Sequence, residues 1–282
     1  MGFGAGLLNG GLFHAITPSF EADAAATVIR GGVWYGLGCL VVTVLAAACL
    51  YALSVAATLA VIAALPALFG FVYSRTPFAT PAMAPQPTLK ESLKQFRSPA
   101  AILFALALFF QFGNEWAIAG WLPLFLIHRV GMGLEGALIA LAMYWLFLMT
   151  GRLVGIALLP RFRHGRLLLG SVLLALFGCA VLYFTKTGFG VISGALFVGA
   201  GYASVYPLLT EAIERRFPYY HPGFFNGIFS LALLGALLAP ASLGYAAAKW
   251  DVSIVIAIPL VGTCIVMLLI LSLWIEAKAT GR

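Results

Sequence analysis

A succession of long, continuously apolar segments is the feature that most constrains this chain. A helix that crosses a membrane needs about 20 mostly apolar residues, and nine segments approach or exceed that length. They cover roughly residues 2–17, 27–50, 53–74, 98–127, 133–159, 167–185, 189–210, 223–247 and 252–275. Because the apolar residues do not alternate with polar ones, a membrane-spanning β-barrel is excluded. The predicted fold is all-α: a polytopic membrane protein with about nine transmembrane helices.

Charged residues are too few for a water-soluble protein. They make up 9% of the 282 residues, against about 25% in an ordinary soluble domain, while 63% are hydrophobic. The net charge of +7 lies in short clusters between the apolar segments, as topology signals do, and does not indicate nucleic acid. We therefore expect the lipid bilayer as surroundings and no nucleic-acid partner. A monomer is expected as well, although composition and charge do not determine the oligomeric state.

The one long polar connection runs from Ser74 to Ser98. It is too polar to cross lipid and too rich in proline to form one helix, so it is interpreted as a linker between two helical bundles. This predicts a partial N-terminal bundle of three helices over residues 1–74, a linker over 75–97 and a six-helix bundle over 98–276.

Lysine and arginine are distributed unevenly between the two ends of the predicted helices. Of these 16 cations, 13 lie after the first, third, fifth and seventh predicted helices or at the C-terminus. Such an excess marks the cytoplasmic side, so the linker and the C-terminus are predicted to be cytoplasmic in an inner or plasma membrane. Nine crossings would then leave the N-terminus outside without a signal peptide, and the simplest interpretation is that helices are missing before Met1.

The fourth predicted helix carries polar side chains near its middle, in the run Gln111-Phe112-Gly113-Asn114-Glu115-Trp116. An ionised carboxylate in lipid is costly, so Glu115 is predicted to face a wet cavity or to hold a proton, as a coupling or binding group. The alternative is a glutamate satisfied by a neighbouring helix. Gln111, Asn114 and Trp116 lie within about one turn of Glu115. Together with Trp121 they suit hydroxylated solutes, because amides donate and accept hydrogen bonds and indoles offer flat faces.

Other polar residues in the predicted helices are weaker candidates for solute contact. A mid-helix amide in lipid needs a partner, which favours Asn9 and Asn226. Tyr144, Tyr202 and Tyr206 are also candidates, although a tyrosine in a membrane helix more often packs or lies at the interface. No cofactor or metal is predicted, because each of the four cysteines lies in an apolar segment without a CxxC partner.

The strongest motif ends the fifth predicted helix, where Gly151-Arg152-Leu153-Val154-Gly155 leads into a basic turn that contains Arg161. This GRxxG run resembles a loop signature of the major facilitator superfamily. The seventh and eighth predicted helices resemble the tenth and eleventh helices of that family. The residues that carry this resemblance are Gly199, Gly201, Tyr206, Pro207, Ser230, Gly235, Pro240 and Gly244. Glu115-Trp116 followed by Trp121-Leu122-Pro123 resembles the fucose-permease-like sugar transporters.

The resemblance implies a secondary transporter that moves a small polar solute, a sugar, by alternating access. Coupling of this movement to protons is compatible with the resemblance. It also implies an N-terminally truncated chain that lacks the first three helices of the family. Gly151, Arg152, Arg161 and Glu211 would form a cytoplasmic gate, in which Arg152 and Glu211 approach each other to latch the closed state. A local pair between Glu211 and Arg215, four residues on, is the alternative.

Other interpretations remain open. The chain could be an inactive fragment of such a transporter, or a channel, although a linker between two bundles argues against a channel. A membrane-embedded lipid-modifying enzyme would need a nucleophile with its base or a metal cluster. The sequence contains no HExxH, GxSxG or P-loop motif, and its four histidines are scattered, so an enzyme is not expected.

Overall fold

The computed structural model describes residues 24–77, 98–217 and 222–280. All regular structure within these ranges is helical, and eight α-helices follow one another along the chain. They are α1 (Ala24–Ala52), α2 (Val55–Arg75), α3 (Pro99–Val130), α4 (Leu134–Leu158), α5 (His164–Phe184), α6 (Gly188–Arg216), α7 (Pro222–Lys249) and α8 (Ile254–Ala279).

The eight described helices are long and apolar enough to cross a membrane. They correspond to the second to ninth predicted helices, with bounds that differ by a few residues. The predicted all-α polytopic fold is confirmed. The first predicted helix, residues 2–17, lies outside the described residues, as does most of the linker.

Local sequence signals set the helix ends. The Ser54 hydroxyl accepts a hydrogen bond from the Ala57 N–H at 3.3 Å and caps α2, and Thr187 caps α6 through the Gly190 N–H at 3.2 Å. Helix α3 ends at Gly131, whose φ of 69° is a left-handed conformation that glycine adopts without strain. These ends leave short connections after α3 and before α6, so neighbouring helices in the chain run in opposite directions.

Helices α4 and α6 cross at close range because glycines remove side chains there. A Cβ atom on Gly151 would lie 2.8 Å from the Ala203 Cβ atom, and one on Gly155 would lie 2.7 Å from the Ser204 hydroxyl oxygen. From the other side, Gly199 on α6 lies directly against the backbone of α4. The two glycines of the GRxxG run are therefore packing residues, as small residues four apart commonly are in membranes.

Helices α3 to α8 pack on one another, whereas α1 and α2 are more peripheral. The buried side chains of α3 to α8 form two apolar clusters, one around Leu108 and Leu209 and the other around Phe125 and Leu148. Helix α1 packs mainly on α4, and Thr58 is the one buried residue of α2. The outward-facing apolar side chains are those expected to meet acyl chains.

Candidate functional site

The carboxylate of Glu115 lies near the middle of α3 and inside the helix packing. The residue is only 8% exposed, so its side chain does not point at acyl chains. Its neighbouring cation is Arg152 of α4, which is also buried, and Nη2 of Arg152 lies 4.0 Å from Oε1 of Glu115. A buried carboxylate is tolerated in a membrane when an opposite charge compensates it.

Each nitrogen of the Arg152 guanidinium faces a different helix. Nε donates to the carbonyl of Ala203 on α6 at 3.4 Å, Nη1 donates to the carbonyl of Gly32 on α1, and Nη2 faces Glu115 on α3. The planar fork of arginine suits such an arrangement, because its donors point in fixed and different directions. Arg152 therefore joins three helices to its own.

Two uncharged polar groups near Glu115 are buried with spare hydrogen-bonding capacity. Gln111, one turn before Glu115, is fully buried, and its amide makes no hydrogen bond of ordinary geometry, although it lies close enough to the Glu115 carboxylate to interact with it. The buried hydroxyl of Tyr144 is without a partner among the described residues and lies within electrostatic range of Glu115 and Arg152. An unpaired buried polar group costs about 1–3 kcal/mol. We call Gln111, Glu115, Tyr144 and Arg152 the carboxylate site.

Asn114 faces α8 instead, although it is the next residue to Glu115. Its amide nitrogen donates to the Thr263 hydroxyl at 3.4 Å, and Thr263 in turn donates to the Pro259 carbonyl at 2.7 Å. The Tyr202 hydroxyl lies 2.8 Å from that of Thr263 and 3.7 Å from the Cys179 sulfur. Since Thr263 has a single proton, which Pro259 accepts, Tyr202 is its donor. We call Asn114, Cys179, Tyr202 and Thr263 the hydroxyl network, which joins α3, α5, α6 and α8.

A glycine makes room for this network. A Cβ atom on Gly262 of α8 would run into the side-chain amide of Asn114, so the amide can reach Thr263 only because residue 262 has no side chain. Hydrogen bonds thereby join the Asn114 amide nitrogen, the Thr263 and Tyr202 hydroxyls and the Cys179 thiol, and the network holds four helices together.

The carboxylate site has the chemistry to bind a neutral hydroxylated molecule. Glu115 and Arg152 carry opposite charges, so the formal charge of the site is zero when both are ionised. The Gln111 amide supplies donors and an acceptor, and the Tyr144 hydroxyl supplies one donor and acceptor sites. The carboxylate of Glu115 can also take up and release a proton.

Comparisons with known proteins identify the family. The sequence model described as Major Facilitator Superfamily matches residues 1–233. The chain belongs to the major facilitator superfamily. No curated protein matches the sequence.

Two solved structures show the same fold. One is a variant of the E. coli fucose:proton symporter FucP, with a TM-score of 0.60 and 19% identity over 76% of this chain and 53% of that one. The other is FucP in the outward conformation, with a TM-score of 0.59 and 19% identity over 78% of this chain and 54% of that one. The chain spans about half the length of these structures. The superfamily is one of transporters rather than enzymes.

Arg152 and Glu211 have different ion-pair partners, and no contact between them is seen among the described residues. Arg152 pairs with Glu115, whereas Glu211 contacts Nδ1 of His164 at 2.6 Å and Arg215 at 2.7 Å. The pair four residues apart, Glu211 with Arg215, is confirmed. A gate role for Gly151, Arg152, Arg161 and Glu211 stays a prediction.

The other predicted solute contacts are not gathered at the carboxylate site. Trp121 donates its indole N–H to the Pro240 carbonyl of α7 at 3.0 Å, so this donor serves helix packing. Trp116 is 41% exposed. The Tyr206 ring packs edge-on against Phe112, with centroids 5.2 Å apart. Asn9 lies outside the described residues, and so does the side chain of Asn226.

The sequence analysis missed Gly32, which accepts a hydrogen bond from Arg152, and Thr263, the centre of the hydroxyl network. Gly32 and Gly36 of α1 have the four-residue spacing of a close helix contact, and Gly36 faces Met149 of α4, so this signal was available. Thr263 is a single hydroxyl residue within a strongly apolar stretch of α8, which also marks it as a polar group in need of a partner.

Proposed function

We propose that the chain is part of a secondary transporter that moves a small neutral polar solute, a sugar, across the membrane by alternating access. The observation that carries the proposal is the spare hydrogen-bonding capacity beside the buried carboxylate of Glu115: the buried Tyr144 hydroxyl has no partner among the described residues, and the fully buried Gln111 amide has only Glu115 within reach. Native structures rarely keep such groups unpaired unless a function uses them.

Charge and hydrogen-bonding capacity favour a sugar over an ion. Glu115 and Arg152 compensate each other, so an ionic solute would leave one of these buried charges facing a like charge. Each hydroxyl of a sugar both donates and accepts, which matches an amide and a tyrosine hydroxyl. A protein of similar fold is, by its name, a fucose:proton symporter, which is consistent with this solute class.

We also propose that Glu115 couples solute movement to protons. It is the one carboxyl group among the described residues of the carboxylate site, and it lies near the middle of a membrane-spanning helix. A carboxylate in that position can be neutralised from one side and ionised from the other as access alternates. The predicted cytoplasmic linker and C-terminus, the two-bundle division and the cytoplasmic gate belong to the same proposal.

Direct binding tests the solute class. Purified chain in nanodiscs would be titrated with radiolabelled neutral pentoses and hexoses, alongside sugar acids and amino acids. We expect saturable binding of a neutral sugar and a loss of about tenfold or more in affinity for Gln111→Leu, which removes hydrogen bonds at nearly constant volume. Ser272→Ala is the matched control, since its hydroxyl is exposed and bonds only to the Leu268 carbonyl within α8.

Failure of every neutral sugar to bind, or equal affinity in Gln111→Leu and Ser272→Ala, would contradict the proposal.

Uptake into proteoliposomes with an imposed proton gradient then tests coupling. We expect Glu115→Gln to lose accumulation that depends on the gradient. Binding without any uptake would instead support the alternative of an inactive fragment.

A further inference from the structure

We propose that Arg152 is a positioning residue that links the charge of Glu115 to the contact between α1 and α4. The contacts of Arg152 are observed whatever the chain transports. Their use, which is to transmit occupancy of the carboxylate site to a neighbouring helix, rests on the proposed function. Arg152 would thereby transmit an event on α3 to α1, which the predicted linker assigns to the other bundle.

Among the described residues, the contact between α1 and α4 contains one hydrogen bond, which Arg152 donates from Nη1 to the Gly32 carbonyl. Tyr35 packs edge-on against Trp145 with ring centroids 6.1 Å apart, and Gly36 faces Met149. Helix α1 has few other contacts with the described chain, so this face decides how firmly it is held.

The same guanidinium pairs with Glu115, and this makes the two contacts interdependent. A buried cation is stable only while an anion and hydrogen-bond acceptors compensate it. If Glu115 is neutralised by a proton, or its oxygens are taken by a solute hydroxyl, Arg152 keeps only the carbonyls of Gly32 and Ala203. We expect the guanidinium then to turn towards more polar surroundings and to release Gly32.

Among the described residues, Glu115 is the only carboxyl group in the set of titratable side chains around Arg152. Tyr35 and Cys39 approach it from α1, and Tyr144 and Arg152 approach it from α4. The release of the Gly32 carbonyl by Arg152 therefore depends on the protonation state of Glu115.

Hydrogen–deuterium exchange of the α1 backbone amides in the full chain tests the link. Glu115→Gln removes the charge, and Gly32→Ala pushes the guanidinium away, because the new Cβ atom would lie 2.6 Å from Nη1. We expect both variants to exchange about tenfold faster than wild type in α1, as for loss of one charge-assisted hydrogen bond. Gly31→Ala is the matched control, since nothing lies within 4 Å of its Cβ position.

Exchange in α8 serves as the internal reference. Equal α1 exchange in Glu115→Gln, Gly32→Ala and Gly31→Ala would overturn the link. An equal rise in α8 would overturn it too, because the substitution would then have loosened the whole bundle.

Sugar binding by the same proteins separates the two proposals. If wild type binds no sugar but α1 responds to Glu115→Gln, the link stands and the solute proposal falls. If wild type binds sugar and α1 does not respond, the link falls and the solute proposal stands.

Discussion

Asn114 and Glu115 are neighbours in the chain, yet they belong to polar regions of opposite character. Asn114 turns towards α8 and enters the hydroxyl network, whose polar atoms hydrogen-bond to one another. Glu115, about 100° further round the helix, turns towards α4 and α1, where the Gln111 amide and the Tyr144 hydroxyl keep spare hydrogen-bonding capacity.

The difference separates a polar group that holds helices together from one that is available to a ligand. In lipid every satisfied hydrogen bond between helices favours one arrangement of them, so the hydroxyl network makes α3, α5, α6 and α8 a single unit. The carboxylate site keeps unused hydrogen-bonding capacity and reaches outside that unit to α1. Substitutions in the two regions should therefore affect different properties.

The largest effect on stability is expected when Arg152 loses its charge. Arg152→Gln leaves the Glu115 carboxylate buried without its cation, and we expect the free energy of unfolding to fall by about 3 kcal/mol. Glu115→Gln combined with Arg152→Gln should recover most of this loss. Denaturation in mild detergent measures both, and a double variant as unstable as the single one would show that the pair is not coupled.

Filling the space beside Asn114 should lower the free energy of unfolding by less than Arg152→Gln does. Gly262→Ala places a Cβ atom against the Asn114 amide, and displacing it should cost about 1–3 kcal/mol of unfolding free energy, as other overpacked cores do. Gly170→Ala on α5 is the control, because its Cβ position is open. Equal melting temperatures for the two variants would show that Asn114 can relax without loss.

Removing the central hydroxyl of the network is the next smaller change. Thr263→Val keeps the shape but removes the acceptor for Asn114 and Tyr202, and we expect a loss of about 1 kcal/mol, within the range measured between membrane helices. Thr150→Val is the control, since that hydroxyl bonds only within α4. Sugar affinity should not change, and a large loss of affinity would place Thr263 in the binding site.

Most of the fold was predictable because lipid imposes a simple rule on sequence. A spanning segment must satisfy its own backbone hydrogen bonds, so an apolar run of sufficient length becomes a helix whatever surrounds it. The predicted bounds for α3, 98–127, and α4, 133–159, therefore fall close to Pro99–Val130 and Leu134–Leu158.

The site was predictable only in part. Glu115 stood out because an acid in lipid is rare and costly. Its partner did not, since charge patterns show which residues need compensation and not which helices face each other, and Arg152 was assigned to Glu211 for this reason. The Gly32 acceptor is a backbone carbonyl, so its only sequence signal is the spacing of Gly32 and Gly36, which indicates a close helix contact but not its partner.

The smallest effect separates packing from binding at Trp121. Trp121→Phe keeps an aromatic face but removes the N–H that bonds to the Pro240 carbonyl. We expect the free energy of unfolding to fall by about 0.5 kcal/mol, near the mean for hydrogen bonds between membrane helices. The indole N–H already donates to a carbonyl of α7, so the substitution should remove no contact with the solute. We therefore expect the sugar affinity to stay within about twofold of wild type. A tenfold loss of affinity with unchanged stability would mean that the indole N–H leaves the Pro240 carbonyl to bind the solute. Trp121 would then belong to the binding site when solute is present and to the helix packing when it is absent.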